Sequence, residues 1–241
     1  MEPVKHIVTS LEAWANPDLA ASWDNVGLQI GDPDAEVKDV LIALEVDETV
    51  LETLVEKKNV LVVTHHPLFF KPLRYIRYDQ DMGRIISAFT AGRHHLFSAH
   101  TNLDAAQGGV NDCLIEHYGL NANEGRFIMD GFGKWFVQPS VTYEVLKSVF
   151  SCTQQGAVSD EPVKRLGFCA GSGHGLIKDV VDLKCDTFIT GEITYHDHVT
   201  CRMNGVRVLT LGHRESEVVV LDRIRTYLEG VFGGLQLRVL S

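Results

Sequence analysis

The 241-residue sequence predicts an α/β protein: a duplicated, two-lobe fold with mixed, mostly parallel sheets and helices on the faces. Three observations predict it. Short apolar runs alternate with stretches of helical period. The order of elements in the second half repeats that of the first, in element order more than in letters. Residues 121 to 139, "NANEGRFIMDGFGKWFVQP", break the rhythm with Gly, Asn and a closing Pro, which places the lobes at 1–125 and 126–241.

In order, "DVLIALEVD" (39 to 47) reads as a strand, and "ETVLETLVEKK" (48 to 58) as an amphipathic helix with Val50, Leu51, Leu54 and Val55 on one face. "NVLVVTHHP" is the next strand, "DMGRIISAFTAGR" (81 to 93) a helix, "HLFSAHTNLD" (95 to 104) a strand with its exit loop, and "GGVNDCLIEHYGL" (108 to 120) a closing helix. In the second half "VKRLGFCAGSG" (163 to 173), "DTFITGEI" (186 to 193) and "VRVLTLGH" (206 to 213) read as strands. "LIKDVVDLKC" (176 to 185), "YHDHVTCRMNG" (195 to 205) and "SEVVVLDRIRTYLEG" (216 to 230) read as the helices after them. Superposed, "VVTHHP" falls on "FITGEI" and "FSAHTNLD" on "LTLGHRESE", so Glu192 takes the place of His66. Strand ends of this kind are where α/β folds place ligand sites.

Composition narrows the chemistry. The formal charge is −10, from 32 acidic and 22 basic residues, which gives no electrostatic footprint for nucleic acid. No stretch approaches the roughly 18 apolar residues of a membrane span and the start lacks an apolar leader, so a cytoplasmic protein is expected. The five cysteines (Cys113, Cys152, Cys169, Cys185, Cys201) are scattered without C-x-x-C spacing and are expected as reduced thiols.

Two histidine-carboxylate pairs occupy corresponding strand ends, His100 with Asp104 and His213 with Glu217, each four residues apart. About one or two pairs of this spacing arise by chance in such a composition, so their matching positions in the repeat carry the information. On a helix, i and i+4 share a face and can ligate one ion. "THHP" adds two imidazoles where Pro67 ends a strand. Adjacent side chains on a regular strand face opposite ways, so His65 and His66 are expected to serve two different ions bridged by a carboxylate such as Asp104 or Glu217. A polar strand edge is the alternative, and "GRHHLF" (His94, His95) is assigned to the surface.

"SWDNVGLQIGDP", "THHPLFF", "SAHTNLDAAQGGVND", "TGEITYHD" and "GHRESE", in this order, closely resemble the family of NGG-one-interacting-factor-three-like proteins, also named GTP cyclohydrolase I type 2 homologues. The motifs run from Trp23 to Glu217. The resemblance implies two intertwined lobes with a dinuclear metal site between them, assembled as a toroidal homohexamer. It implies His65, His66, Asp104, His213 and Glu217 as metal ligands and moves His100 to a second shell or substrate pocket. Two positions depart from the pattern, Glu45 where Asp is common and Arg214 where an aromatic is common, and neither is expected to touch a ligand. The linker is too short for the additional domain found in some members.

Histidines with carboxylates suit two divalent ions of transition type (Zn, Fe, Mn, Co or Ni), whereas Mg and Ca prefer oxygen shells. Five ligands leave positions for solvent, including a bridging water as the candidate nucleophile, with His100, Glu192 or His196 to move its proton. The expected function is a metal-dependent hydrolase acting on a small anionic, phosphorylated or nucleotide-like substrate. The alternative is a non-catalytic metal-binding or partner-binding protein. "GSGHG" (171 to 175) reads as a tight turn before an anion cradle, and Trp23 first as a packing residue.

Overall fold

The computed structural model describes residues 1–139, 141–149, 153–155 and 162–240, and two compact units are found. The first comprises Met1–Leu103 with Leu221–Ser241, the second Asp104–Val220.

The first unit is built on a five-stranded sheet in the spatial order Gln236–Val239, Asp39–Ala43, Leu61–Thr64, His95–Ser98, Gly27–Ile30. Its first three pairings are parallel and the last is antiparallel. Leu61–Thr64 and His95–Ser98 are buried along their whole length, as expected for strands covered on both faces. Glu48–Leu54 starts where Asp47 accepts from the Val50 N–H at 2.9 Å, and its Val50 and Leu54 join Phe89 of Asp81–Gly92 in a core with Leu41, Val62 and Leu96. Asp81–Gly92 ends at Arg93 in the left-handed region.

The second unit carries a six-stranded sheet in the order Arg126–Ile128, Gly133–Val137, Arg165–Ser172, Thr187–Glu192, Arg207–Thr210, Thr153–Gln155. Only the pairings of Thr187–Glu192 with its two neighbours are parallel, so among the described residues this sheet is mixed rather than mostly parallel. Tyr195–Met203 opens with a capping box, the Thr194 hydroxyl accepting from Asp197 N–H and the Asp197 carboxylate accepting from Thr194 N–H. Both units share a strand-helix-strand-helix-strand core closed by a short helix, Thr101–Ala105 in one series and His213–Glu217 in the other. That is the structural form of the repeat.

Three expectations are corrected here. The 121–139 stretch is not a boundary: it contributes the strands Arg126–Ile128 and Gly133–Val137 to the second unit. The last residues of the chain belong with the first unit. Tyr227 of the helix Val219–Val231 packs on Trp14 at 4.8 Å and donates to the Ser10 carbonyl, and Gln236–Val239 pairs beside Asp39–Ala43. His94 and His95 are core residues at 3% and 2% exposure rather than surface. His95 Nδ1 accepts from the Asp32 N–H and its Nε2–H donates to Asn59, while His94 Nδ1 accepts from Val60, and burial lowers the pKa of both. They are neutral struts.

The four described cysteines, Cys113, Cys169, Cys185 and Cys201, are buried and in no disulfide, and Cys152 lies outside the described residues. Among the described residues no helix is long and apolar enough to cross a membrane.

Candidate metal centre

In the first unit the strand Leu61–Thr64 ends one residue before His65. His65 and His66 therefore escape strand alternation, their N–H groups bonding instead to the Ala43 and Leu44 carbonyls. The expectation that they face opposite ways is overturned. Their rings lie 5.0 Å apart, and His100, at the exit of the parallel neighbour His95–Ser98, brings its ring to 5.1 Å from His65 and 5.6 Å from His66. One ring nitrogen from each falls within 4.8 Å of the others, a spacing on which a single ion could collect all three.

Each imidazole is held by its Nδ1. His65 Nδ1 lies 2.9 Å from the Ala99 carbonyl, His66 Nδ1 2.8 Å from Glu45 Oε2, and His100 Nδ1 3.0 Å from Asp24 Oδ1. A carbonyl or carboxylate can only accept, so Nδ1 carries a proton, and a ring that gives up its second proton to an ion would offer Nε2. This is the orienting arrangement metal-binding histidines use. Glu45, expected to touch no ligand, is thus a direct partner of His66.

Asp24 lies in the stretch "SWDNVGLQIGDP". Its carboxylate is fully buried and accepts from His100, from the Thr101 N–H and from the Thr101 hydroxyl. Burial alone would raise its pKa, but the hydrogen bonds from His100 and Thr101, with the His100 charge, hold it far below the carboxylate range. Thr101 and His100 lie 77 and 76 residues away, so no local pattern announces the contact.

In the second unit His213–Glu217 forms a one-turn helix after the strand Arg207–Thr210. His213 Nε2 lies 3.2 Å from Glu217 Oε1, the i,i+4 pair, and its Nδ1 lies 3.0 Å from Glu192 Oε1. The Glu217 hydrogen bond, against burial and with help from Glu192, pushes the imidazole up to about 9. Asp104 is near: burial first, then the charges of Asp104 and Glu217, raises the buried Cys169 thiol strongly. Asn111 ties this corner together, donating to the Asp104 carbonyl and accepting from the Ala170 N–H. His196 sits on the exposed side of Tyr195–Met203 against the Tyr195 ring at 5.6 Å.

Two glycines make room for this helix. Gly171, at φ +60°, would put a Cβ 2.2 Å from Glu217 Oε1, so the glycine of "GSGHG" is spent on seating a carboxylate rather than on cradling a free anion. A Cβ on Gly191 would fall 2.4 Å from the Gly171 carbonyl oxygen and 2.6 Å from Ser216 Oγ, itself the acceptor for the Gly171 N–H. Because that obstacle is backbone, Gly191→Ala should destabilise by about 2 kcal/mol or more in urea unfolding. A loss under about 0.5 kcal/mol would show that the strands separate easily.

Trp23 is 60% exposed, not a core packing residue. Its ring lies 6.2 Å from His100 and 5.6 Å from Phe70.

The chain is 31% identical over 233 residues to a Clostridium perfringens protein named GTP cyclohydrolase 1 type 2 homolog, covering 90% of this chain and 88% of the relative. It is 31% identical to NIF3-like protein 1 of Drosophila melanogaster, covering 88% and 76%. The structure of reduced HcgD from Methanocaldococcus jannaschii matches all of this chain and 98% of its own at a TM-score of 0.86 and 27% identity. The family model for Duf34/NIF3 (NGG1p interacting factor 3) matches residues 3–241, and the chain belongs to that family.

Proposed function

We propose that this protein is a metal-dependent hydrolase acting on a small phosphorylated or nucleotide-like substrate, with His65, His66, Asp104, His213 and Glu217 as ligands of two divalent ions. The observation that carries the reading is the convergence of His65 and His66, their donor atoms within 4.8 Å of each other and of His100, with the Nδ1 of each ring on an acceptor. Such imidazole donors favour Zn, Fe, Mn, Co or Ni over Mg or Ca. The name of the Clostridium relative supports hydrolysis directed at a nucleotide. A divalent ion bound here would supply Lewis-acid polarisation and a water of lowered pKa.

The chain's own groups do the positioning. Glu45, Asp24 and the Ala99 carbonyl fix the tautomer and aim of three rings. Glu192, more than half exposed and hydrogen-bonded to His213, is best placed of the candidate proton carriers to exchange with solvent. His100, mostly buried on Asp24, is better suited to orienting, and exposed His196 to a role at the rim. A toroidal homohexamer belongs to the same proposal, on the family resemblance.

The test is elemental analysis of purified protein, followed by a turnover screen over nucleotides and phosphate esters with and without chelator. Turnover should vanish with chelator and return with Mn, Co or Zn. Metal-loaded protein that hydrolyses nothing would leave a non-catalytic metal-binding protein, and protein that takes up no metal would end both readings.

A further inference from the structure

The segment Pro67–Tyr78, "PLFFKPLRYIRY", carries Lys71, Arg74 and Arg77 and no acid, in a chain of net charge −10. It also leaves aromatic surface in water: Phe70 is 48%, Tyr75 63% and Tyr78 74% exposed.

Its first residues are fixed. Gln29 Oε1 accepts from the N–H groups of Leu68 and Phe69, Gln29 Nε2 donates to the Asn25 carbonyl, and Asn25 Nδ2 donates to the Phe69 carbonyl. These bonds lock Phe70 to the loop that carries Trp23, and both rings stand edge-on to His100, at 6.4 and 6.2 Å. Beyond Phe70 a groove of about 450 Å³ continues past Lys71, Arg74 and Tyr75. That volume is in the range of small-ligand sites. Arg77 is engaged by Asp79, whereas Lys71 and Arg74 make no ion pair among the described residues.

A rigid pair of exposed aromatic rings beside an imidazole cluster, continuing into a cationic groove on an acidic protein, matches a flat ring joined to an anion. We infer that Trp23 and Phe70, whose rings lie 5.6 Å apart and tilted by 60°, form an aromatic corner that takes the base of a nucleoside phosphate at the rim of the imidazole cluster, one ring on its face and the other at its edge, while Lys71 and Arg74 hold its phosphate. The inference rests on the proposed function only in taking that cluster as the reacting end.

The full-length protein, chelated or Mn-loaded, is titrated with GMP, AMP and ribose 5-phosphate by calorimetry and tryptophan fluorescence. Both nucleotides should bind at least tenfold tighter than ribose 5-phosphate and quench the fluorescence. Trp23→Ala and Phe70→Ala, at exposed positions, should each weaken nucleotides about tenfold or more and leave ribose 5-phosphate within twofold. Lys71→Glu with Arg74→Glu should weaken all three probes. Equal affinity for ribose 5-phosphate and nucleotides, or unchanged binding in the aromatic variants, overturns the inference. So does absence of nucleotide binding, including the case in which Trp23→Ala instead lowers the mass in light scattering, which would make this face a contact between copies. Nucleotide binding that depends on Trp23 in protein taking up no metal would sink the proposed function and leave the inference standing.

Discussion

Glu217→Gln should lower divalent-metal affinity by roughly a hundredfold or more, with turnover falling in parallel, at unchanged fold. Ligand loss should exceed the 10- to 100-fold typical of removing an outer partner. The amide is isosteric, so the seat opened by Gly171 stays filled, but the negative charge beside Asp104 and His213 is gone. Asp104→Ala should behave alike. Wild-type metal content in both variants would remove these carboxylates from the ligand set. The same substitution has a pH signature. His213 is raised from 6.5 to about 9, first by its Glu217 hydrogen bond, so the stabilisation it gives the metal-free fold is complete below about pH 6.5 and lost as pH rises through 9. Metal must compete with that proton, so affinity should climb by about tenfold per pH unit up to about 9 in wild type. In Glu217→Gln the ring should titrate lower, which imidazole NMR shifts would follow, and an unmoved titration would show that Glu192 alone holds the proton.

Asp24→Ala should cost about 3 to 5 kcal/mol in urea unfolding of metal-free protein, because it strands groups that a buried carboxylate now satisfies. His100 Nδ1, the Thr101 N–H and the Thr101 hydroxyl all lose their acceptor. Asp24→Asn keeps one acceptor oxygen and should cost less. It should still weaken metal binding about tenfold or more, since His100 packs edge-on against the rings of His65 and His66 and its own orientation depends on that carboxylate. The carboxyl is depressed in the fold, so its contribution is present above about pH 4, the unfolded value, and lost as pH falls. Asp24→Asn should therefore flatten the acid limb of the stability curve. An Asp24→Ala protein with wild-type stability would mean that water replaces the carboxylate without penalty.

These two experiments divide along the line between what is local and what is not. The strands Asp39–Ala43, Leu61–Thr64 and His95–Ser98 and the helices Glu48–Leu54 and Asp81–Gly92 were legible, because a buried parallel strand is a run of apolar residues and a covered helix keeps a 3.6-residue period. The pair His213 and Glu217 was legible too, since one helical turn brings i and i+4 together whatever surrounds them. The short helix Thr101–Ala105, expected as loop, and the strands inside 121–139 were not, being too short to show a period. Having no carboxylate motif nearby assigns His94 and His95 to the surface, whereas in the fold Val60, Asp32 and Asn59 supply the backbone and amide partners that hold both imidazoles in the core. The sequence by itself determined that imidazoles and carboxylates gather at the ends of repeated parallel strands. Tertiary structure decided that His65 and His66 share one cluster with His100, and that Glu45 and Asp24 aim its rings. Strand alternation is a rule of regular backbone, and it lapses where the ladder ends at Thr64. Contacts across 76 residues leave no period in a sequence, because chain folding and not chain order sets them.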